Sequence, residues 1–339
     1  MFRTIDARHD THPLRAPFRI ARGSKTEAEV VTVTVTQGTH VGRGEGVPYA
    51  RYGETIADSL AALARAATLV ERGGGRDELA HVLPPGAARN ALDAALWDLE
   101  ARVAGTSVAA LAGVAAAAPV ASAITIAIDE PAAMAAVAAR HTRAPLLKVK
   151  VDRAAPEAQI AAVRAAAPDA RLIVDPNESW GAADLAGLDA FLVAQRVDLL
   201  EQPLPAGEDE ALAARRPSVP VCADESLHTI DDLDRLAGRY THVNVKLDKA
   251  GGLTAALALA RAAEARGFGL MVGCMVCSSL GIAPALLLAG GAAFVDLDGP
   301  LWLADDYPGG VSDREGVLSP PAAGFWGGGS VMAGAERDG

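Results

Sequence analysis

Eight short apolar runs, each ending in or near a polar residue, constrain this chain more than any other feature. They are SAITIA, LLKVKV, RLIVDPN, VDLLEQP, VPVCADE, HVNVKLD, GLMVGCM and AAFVDLD, with helical stretches between them. Marking one position near the C-terminal end of each gives Thr125, Lys150, Asp175, Glu201, Asp224, Lys246, Cys274 and Asp296, spaced 22 to 28 residues apart. That interval holds one strand and one crossover helix, and eight such units close into a parallel barrel. The C-terminal strand ends of a barrel face one mouth, where catalytic groups gather. Buried strands do not acquire lysines and acids at their ends through packing preference. The pattern predicts a site at the mouth.

The chain before residue 119 reads differently. Val30–Thr36 is a β-branched run, Gly38 turns the chain, and Val41–Val47 returns as a hairpin partner. Thr55–Val70 and Ala87–Val103 carry helical periodicity, the second placing Leu92, Leu96, Trp97 and Leu99 near one face. Strands followed by helices describe an α+β unit. The alanine-rich stretch Ala112–Ala118, closed by Pro119, marks its end. The expected organisation is a cap over 1–118 and a barrel over 119–299, with the tail 300–339 returning to the cap.

Charge and cysteine content narrow the function classes. With 31 Lys and Arg against 42 Asp and Glu, the net charge is −11, a poor balance for holding nucleic acid or an anionic membrane. Three cysteines, Cys222, Cys274 and Cys277, make no disulfide framework and favour a reducing compartment. The N-terminus shows no apolar secretory core. Gly267–Val295 is free of formal charge, but Gly273, Gly281, Pro284, Gly290 and Gly291 break it. It suits a buried strand, loop and helix better than a membrane span. The cytoplasm is the expected location.

The strand ends state a chemistry. Asp175, Glu201 and Asp224 close three consecutive strands, and three converging carboxylates need a divalent cation. All-oxygen ligation with open positions suits Mg²⁺ or Mn²⁺. Lys148 and Lys150, two apart on a strand, share the barrel interior, where each ammonium is expected to depress the other's pKa and make a usable general base. Lys246 stands across the mouth. A metal-polarised carboxylate or carbonyl with one lysine on each face implies a 1,1-proton transfer that inverts one carbon.

These residues resemble the enolase superfamily, in its muconate-lactonising subgroup, through LLKVKV, IVDPNES, LLEQPLP, CADES and VNVKLDKAGGLTAA, and in the cap through PFRIARGS, GEGVPYARYGE and AARNALDAALWDLEA. The resemblance covers nearly the whole chain and is strongest to its dipeptide epimerases. It implies an α+β capping domain on a (β/α)7β TIM-like barrel, a Mg²⁺ cofactor and a small dipeptide partner, L-Ala-D/L-Glu, in murein peptide metabolism. Asp175, Glu201 and Asp224 resemble the metal ligands, Lys150 and Lys246 the acid/base pair, and Lys148 a companion on the substrate carboxylate. Asp296 and Asp298 resemble the D-x-D that grips the dipeptide's α-ammonium. Thr125, Cys274, Met275 and Val276 resemble further substrate contacts. Arg22 or Lys25, in the cap loop ARGSKT, is expected to meet the substrate's side-chain carboxylate. Self-association as a homo-oligomer is left open.

One departure is Pro176, where the resemblance expects a small residue; a displaced Asn177 with Asp175 intact is the expectation. Cys274–Cys277 also reads as C-x-x-C and His9–His12 as H-x-x-H, both without the context of a metal or redox site. Rival readings are an o-succinylbenzoate synthase or cycloisomerase of the same superfamily, or a non-catalytic metal-dependent binding barrel. The D-x-D separates the first two and the paired lysines the third.

Overall fold

The computed structural model describes residues 2–328. The cap holds an antiparallel sheet of Thr4–Ile20, Gly23–Gln37 and His40–Gly46, in that order, backed by helices Ile56–Glu71, Arg76–Val82 and Ala87–Ala104. In the middle strand Val31, Val33 and Val35 are buried against Leu63, Val70, Leu92, Leu96 and Leu99, and the alternating threonines face the other side. The third strand lies flush on the Ala87–Ala104 helix. A Cβ at Gly42, Gly44 or Gly46 would stand 2.1–2.2 Å from a helix carbonyl oxygen. Glycine at every second position permits that approach, and Arg43, Glu45 and Val47 consequently turn away from the helix.

The stretch holding His9 and His12, expected as a cap strand or loop, is the first strand. It alternates exposed and half-buried residues along much of its length and lies at the sheet edge, paired with the second strand and bridged at Leu14 to Leu303. His9 and His12 lie on it three residues apart, so they face opposite sides and share no ligand. His9 is 3.3 Å from Glu29, and His12 stands edge-on to Tyr307.

All eight runs form strands: Ile124–Ile126, Leu146–Lys150, Arg171–Asp175, Leu199–Glu201, Val221–Ala223, His242–Lys246, Gly269–Gly273 and Phe294–Asp296. They are parallel, and each neighbours the next in chain order. The first and eighth are drawn together by Ala123 N to Val295 O at 2.8 Å and Leu297 N to Ser122 Oγ at 2.9 Å. Outward residues such as Leu147, Val149, Leu172, Val174, Val243 and Val245 form the main core with the crossover helices. The last strand runs into a 3-10 turn, Gly299–Trp302, instead of a crossover, which makes the barrel (β/α)7β. The charge-free stretch becomes the seventh strand and the short helices Ser279–Ile282 and Leu286–Ala289. Among the described residues no helix is long and apolar enough to cross a membrane.

Beyond the barrel the chain touches the cap again. Ala304 N donates to Pro13 O at 2.8 Å, Trp326 Nε1 to Arg43 O at 3.0 Å, and Gly327 N to Asp98 Oδ1 at 2.8 Å. The part of the expected tail over 329–339 lies outside the described residues.

Three buried carboxyls key the cap to the barrel. Glu45 accepts from Ser278, Asp93 from Thr254, and Asp248 from Val47 N and Asn90 Nδ2. Gly252, at φ +112, brings the backbone so close to Asp93 that a Cβ would stand 2.5 Å from the Asp93 Cβ. Burial pushes Glu45 up to about 7 and Asp93 and Asp248 to about 6. A carboxyl whose folded pKa is raised holds its proton in the native state after the unfolded chain has released it. Stability contributed by these groups is therefore lost as pH rises from about 4 to 7, on the order of 3 kcal/mol for Glu45 alone. The melting temperature should fall between pH 5 and 8, and Glu45→Gln should flatten that slope. A melting temperature that climbs across this window would refute the assignment.

Candidate active site

The barrel interior is layered. Ala123, Leu146, Ile173, Leu199, Cys222, Met271 and Phe294 form an apolar floor. Two residues further along each strand the same face returns, and it carries Thr125, Lys148, Asp175, Glu201, Asp224, Gly273 and Asp296. Polar groups thus crowd a dry floor, where electrostatic interactions are strong.

Asp175, Glu201 and Asp224 are almost wholly buried. Each ties one oxygen to a fixed donor. Asp175 Oδ1 accepts from Asn177 N at 2.8 Å, Glu201 Oε1 from Asn244 Nδ2 at 2.9 Å, and Asp224 Oδ1 from Lys249 Nζ at 2.6 Å. The remaining oxygens face lysine ammonium groups. Asp175 Oδ2 lies 2.5 Å from Lys150 and 3.1 Å from Lys148, and Asp224 Oδ2 lies 2.7 Å from Lys246. Glu201 Oε2 makes no hydrogen bond, although Lys148 Nζ approaches to 2.6 Å. With the lysines set among the acids, no three His, Cys, Asp or Glu of the described residues are gathered at ligating distance. The donor chemistry nevertheless fits a hard divalent cation: three carboxylate oxygens on adjacent strands, none held by a backbone or amide donor.

The charges are unequal. Lys150 and Lys148 hold Asp175 below the usual carboxylate range against the effect of burial, and Lys246 and Lys249 do the same for Asp224. Glu201 goes the other way: burial, with the Asp175 and Asp224 carboxylates adding, pushes it up to about 8.

The expectation for the K-x-K pair needs correcting at Lys148. Its ammonium lies within 3.1 Å of Asp175, Glu201 and Asp296. Burial pulls its pKa down, but the Asp296, Glu201, Asp175 and Asp224 carboxylates outweigh burial and hold it well above the ordinary lysine value. Acids from other strands, and not the neighbouring lysine, set its charge. Lys246, on the sixth strand, is likewise raised by Asp224 and Glu201 despite burial.

Above this layer a cavity of about 490 Å³ lies between the cap loops and the mouth. It is lined by Lys148, Lys150, Asp224, Lys246, Thr125, Cys274, Met275, Val276, Asp296 and Asp298, and from the cap by Arg22 and Lys25. Asp175 and Glu201 lie beneath it. Asp296 Oδ1 is buried without a partner. Asp298 Oδ2 takes Thr125 N at 2.7 Å, and burial beside Asp296 raises Asp298 to about 6. Arg22 reaches Asn177 O and Glu178 at 3.0 Å and Glu225 at 2.7 Å, while Lys25 Nζ stands 5.1 Å over the Tyr49 ring. After Pro176 the backbone turns left-handed at Asn177, φ 46, which aims Asn177 N at Asp175. All three cysteines are free thiols, Cys274 at the cavity and Cys277 buried.

Sequence reasoning missed several groups. Asn244 and Lys249 support two of the carboxylates, and Tyr49, Arg51 and Tyr52 line the cap side of the cavity. A signal existed for Asn244, which precedes Lys246 by two and so shares its interior face.

Comparison with known proteins agrees with this architecture. Residues 2–113 match the mandelate racemase / muconate lactonizing enzyme N-terminal domain, and residues 130–325 the enolase C-terminal domain-like family. The chain is 49% identical to the L-Ala-D/L-Glu epimerase of Escherichia coli K12, over 90% of this chain and 95% of that one. It is 44% identical to an N-acetyl-D-glutamate racemase of a Pseudoalteromonas species, over 88% and 95%. A solved enolase family member from Agrobacterium tumefaciens, with homology to dipeptide epimerases and bound sodium and L-Ala-L-Glu, is 46% identical. It superposes with a TM-score of 0.94 over 96% of this chain and 100% of that one. The layered mouth, the cap above it and these matches along both domains make the chain a member of the mandelate racemase / muconate lactonizing group of the enolase superfamily.

Proposed function

We propose that the protein is a dipeptide epimerase, an isomerase that inverts the α-carbon of a dipeptide's C-terminal residue, with Mg²⁺ as cofactor and L-Ala-D/L-Glu as substrate. The observation that carries this reading is the pair of buried lysines, Lys150 and Lys246, on strands two and six with the carboxylate arc between them. Asp175, Glu201 and Asp224 would hold the cation through their inward oxygens. Bound there, it supplies Lewis-acid polarisation of the substrate carboxylate, which acidifies the α-hydrogen.

This chain's residues do the rest. Lys150 takes the α-proton from one face and Lys246 returns one to the other, and the reverse reaction exchanges their roles. Lys148, enclosed by carboxylates, stays charged and meets the substrate carboxylate. The unpartnered Oδ1 of Asp296 accepts from the dipeptide's α-ammonium, with Asp298 beside it bracing Thr125. Thr125 and the Cys274–Val276 wall bound the bound substrate. Arg22 and Lys25 offer charge to the side-chain carboxylate. The free thiols suit a reducing cytoplasm, where peptides released from murein are the natural source of such dipeptides.

A second reading is favoured by the 44% identity to an N-acetyl-D-glutamate racemase, whose substrate shares the glutamate but lacks the ammonium. α-Proton exchange in D₂O on L-Ala-L-Glu, L-Ala-L-Leu and N-acetylglutamate separates the two. L-Ala-L-Glu should exchange about tenfold or more faster than L-Ala-L-Leu, and replacing Arg22 and Lys25 together with methionine should erase that gap. Exchange on N-acetylglutamate alone would overturn the dipeptide reading.

A further inference from the structure

One buried acid touches neither the cavity nor the carboxylate arc. Glu45, on the third cap strand, is 1% exposed, and both its oxygens accept from one residue of the barrel. Oε1 takes Ser278 N at 2.8 Å and Oε2 takes the Ser278 hydroxyl. That hydroxyl also caps the turn of helix Ser279–Ile282, accepting from Leu280 N at 3.0 Å. Gly281 leaves the room this requires, since a Cβ there would stand 3.0 Å from Glu45 Oε1. Ser279 is gripped in the same way by Asp306, through its amide at 3.0 Å and its hydroxyl. Two consecutive serines are thus each clasped by a carboxylate, one from the cap and one from the C-terminal segment.

The clasp joins two stretches of chain that line the substrate cavity. Ser278 ends the seventh-strand loop, whose Cys274, Met275 and Val276 form one wall. The strand that carries Glu45 runs on into Tyr49 and Tyr52, which form the facing wall. A buried carboxyl held only by a serine and its amide destabilises a fold relative to an apolar side chain. What it gains is position.

We propose that Glu45 is a positioning residue for the substrate: it locks the seventh-strand loop to the capping strand, so that the two walls close on the dipeptide as one unit. The substrate rests on the epimerase reading; the clasp itself does not.

Glu45→Leu keeps most of the side-chain volume and removes both acceptors for Ser278. KM for L-Ala-L-Glu should rise about tenfold or more, with kcat within about threefold, because the lysines and the carboxylate arc are untouched. General destabilisation would lower the active fraction and so kcat, leaving KM in place. Amide hydrogen exchange should accelerate over 274–282 and stay unchanged over 171–177. Ser278→Ala removes the hydroxyl from the other side; it should reproduce both effects and add little to Glu45→Leu in the double variant. If Glu45→Leu fails to fold, Ser278→Ala decides. An unchanged KM, fully additive effects, or unaltered exchange in the loop would overturn the proposal. Should the wild-type protein act on no dipeptide, the epimerase reading falls, and hydrogen exchange alone decides the clasp.

Discussion

Lys246→Ala should lose epimerisation in both directions by about a thousandfold or more, yet still exchange the α-hydrogen of one enantiomer with D₂O. Each direction of epimerisation needs a group on both faces, whereas abstraction and return can occur on one. The surviving enantiomer is the one whose hydrogen faces Lys150. Lys150→Ala should show the mirror preference. Exchange of the same enantiomer by both variants would contradict opposed faces, and full activity in either would remove that lysine from the mechanism. Lys148 is a poor substitute base in these variants, because Asp175, Glu201 and Asp296 all hold its ammonium, at 2.6 to 3.1 Å, whereas Lys246 has Asp224 alone.

Removing Mg²⁺ by chelation should abolish turnover, and turnover that survives thorough chelation would sink the metal assignment. The three ligand positions should not respond alike to neutralisation. Asp224 carries the Lys246 and Lys249 ammonium groups at 2.7 and 2.6 Å. Asp224→Asn therefore strands two buried positive charges and should cost about 3–5 kcal/mol of stability as well as activity. Glu201 meets a single ammonium, Lys148 at 2.6 Å, and Lys148 keeps Asp175 and Asp296 within 3.1 Å when Glu201 is neutralised. Glu201→Gln should thus be equally inactive but considerably more stable than Asp224→Asn. Thermal melts with and without Mg²⁺ read both quantities, since a ligand that binds only the folded state raises the melting temperature. Equal melting temperatures for the two variants, or a Mg²⁺ shift retained in Glu201→Gln, would contradict this account.

The barrel was legible because its strands are short and apolar and each carries its chemistry at the same end. Alternation then set which residues face inward, so the carboxylate arc and the lysines could be located from spacing. Partners arriving from elsewhere could not. Lys249 reads as one more lysine after KLD, and only barrel closure shows its three donors spent on the Asp224 carboxylate, the Asp224 carbonyl and the Asn244 carbonyl. Lys148 was misjudged for the same reason: sequence shows the lysine two residues away but not the acids of three other strands. The first cap strand was legible only as strand or loop around His9 and His12, because its inward residues are only half-buried and the polar ones among them weaken the apolar signal.

The three glycines of the third cap strand bear on how such an enzyme changes its diet. Any larger residue at Gly42, Gly44 or Gly46 would lift the strand from its helix, and Glu45, Tyr49 and Tyr52 would travel with it. Selection for a new dipeptide could therefore succeed through positions that meet neither substrate nor cation, while the proton-transfer apparatus on the barrel strands is inherited untouched. Variants recovered from such a selection would look unrelated to catalysis until mapped onto this strand.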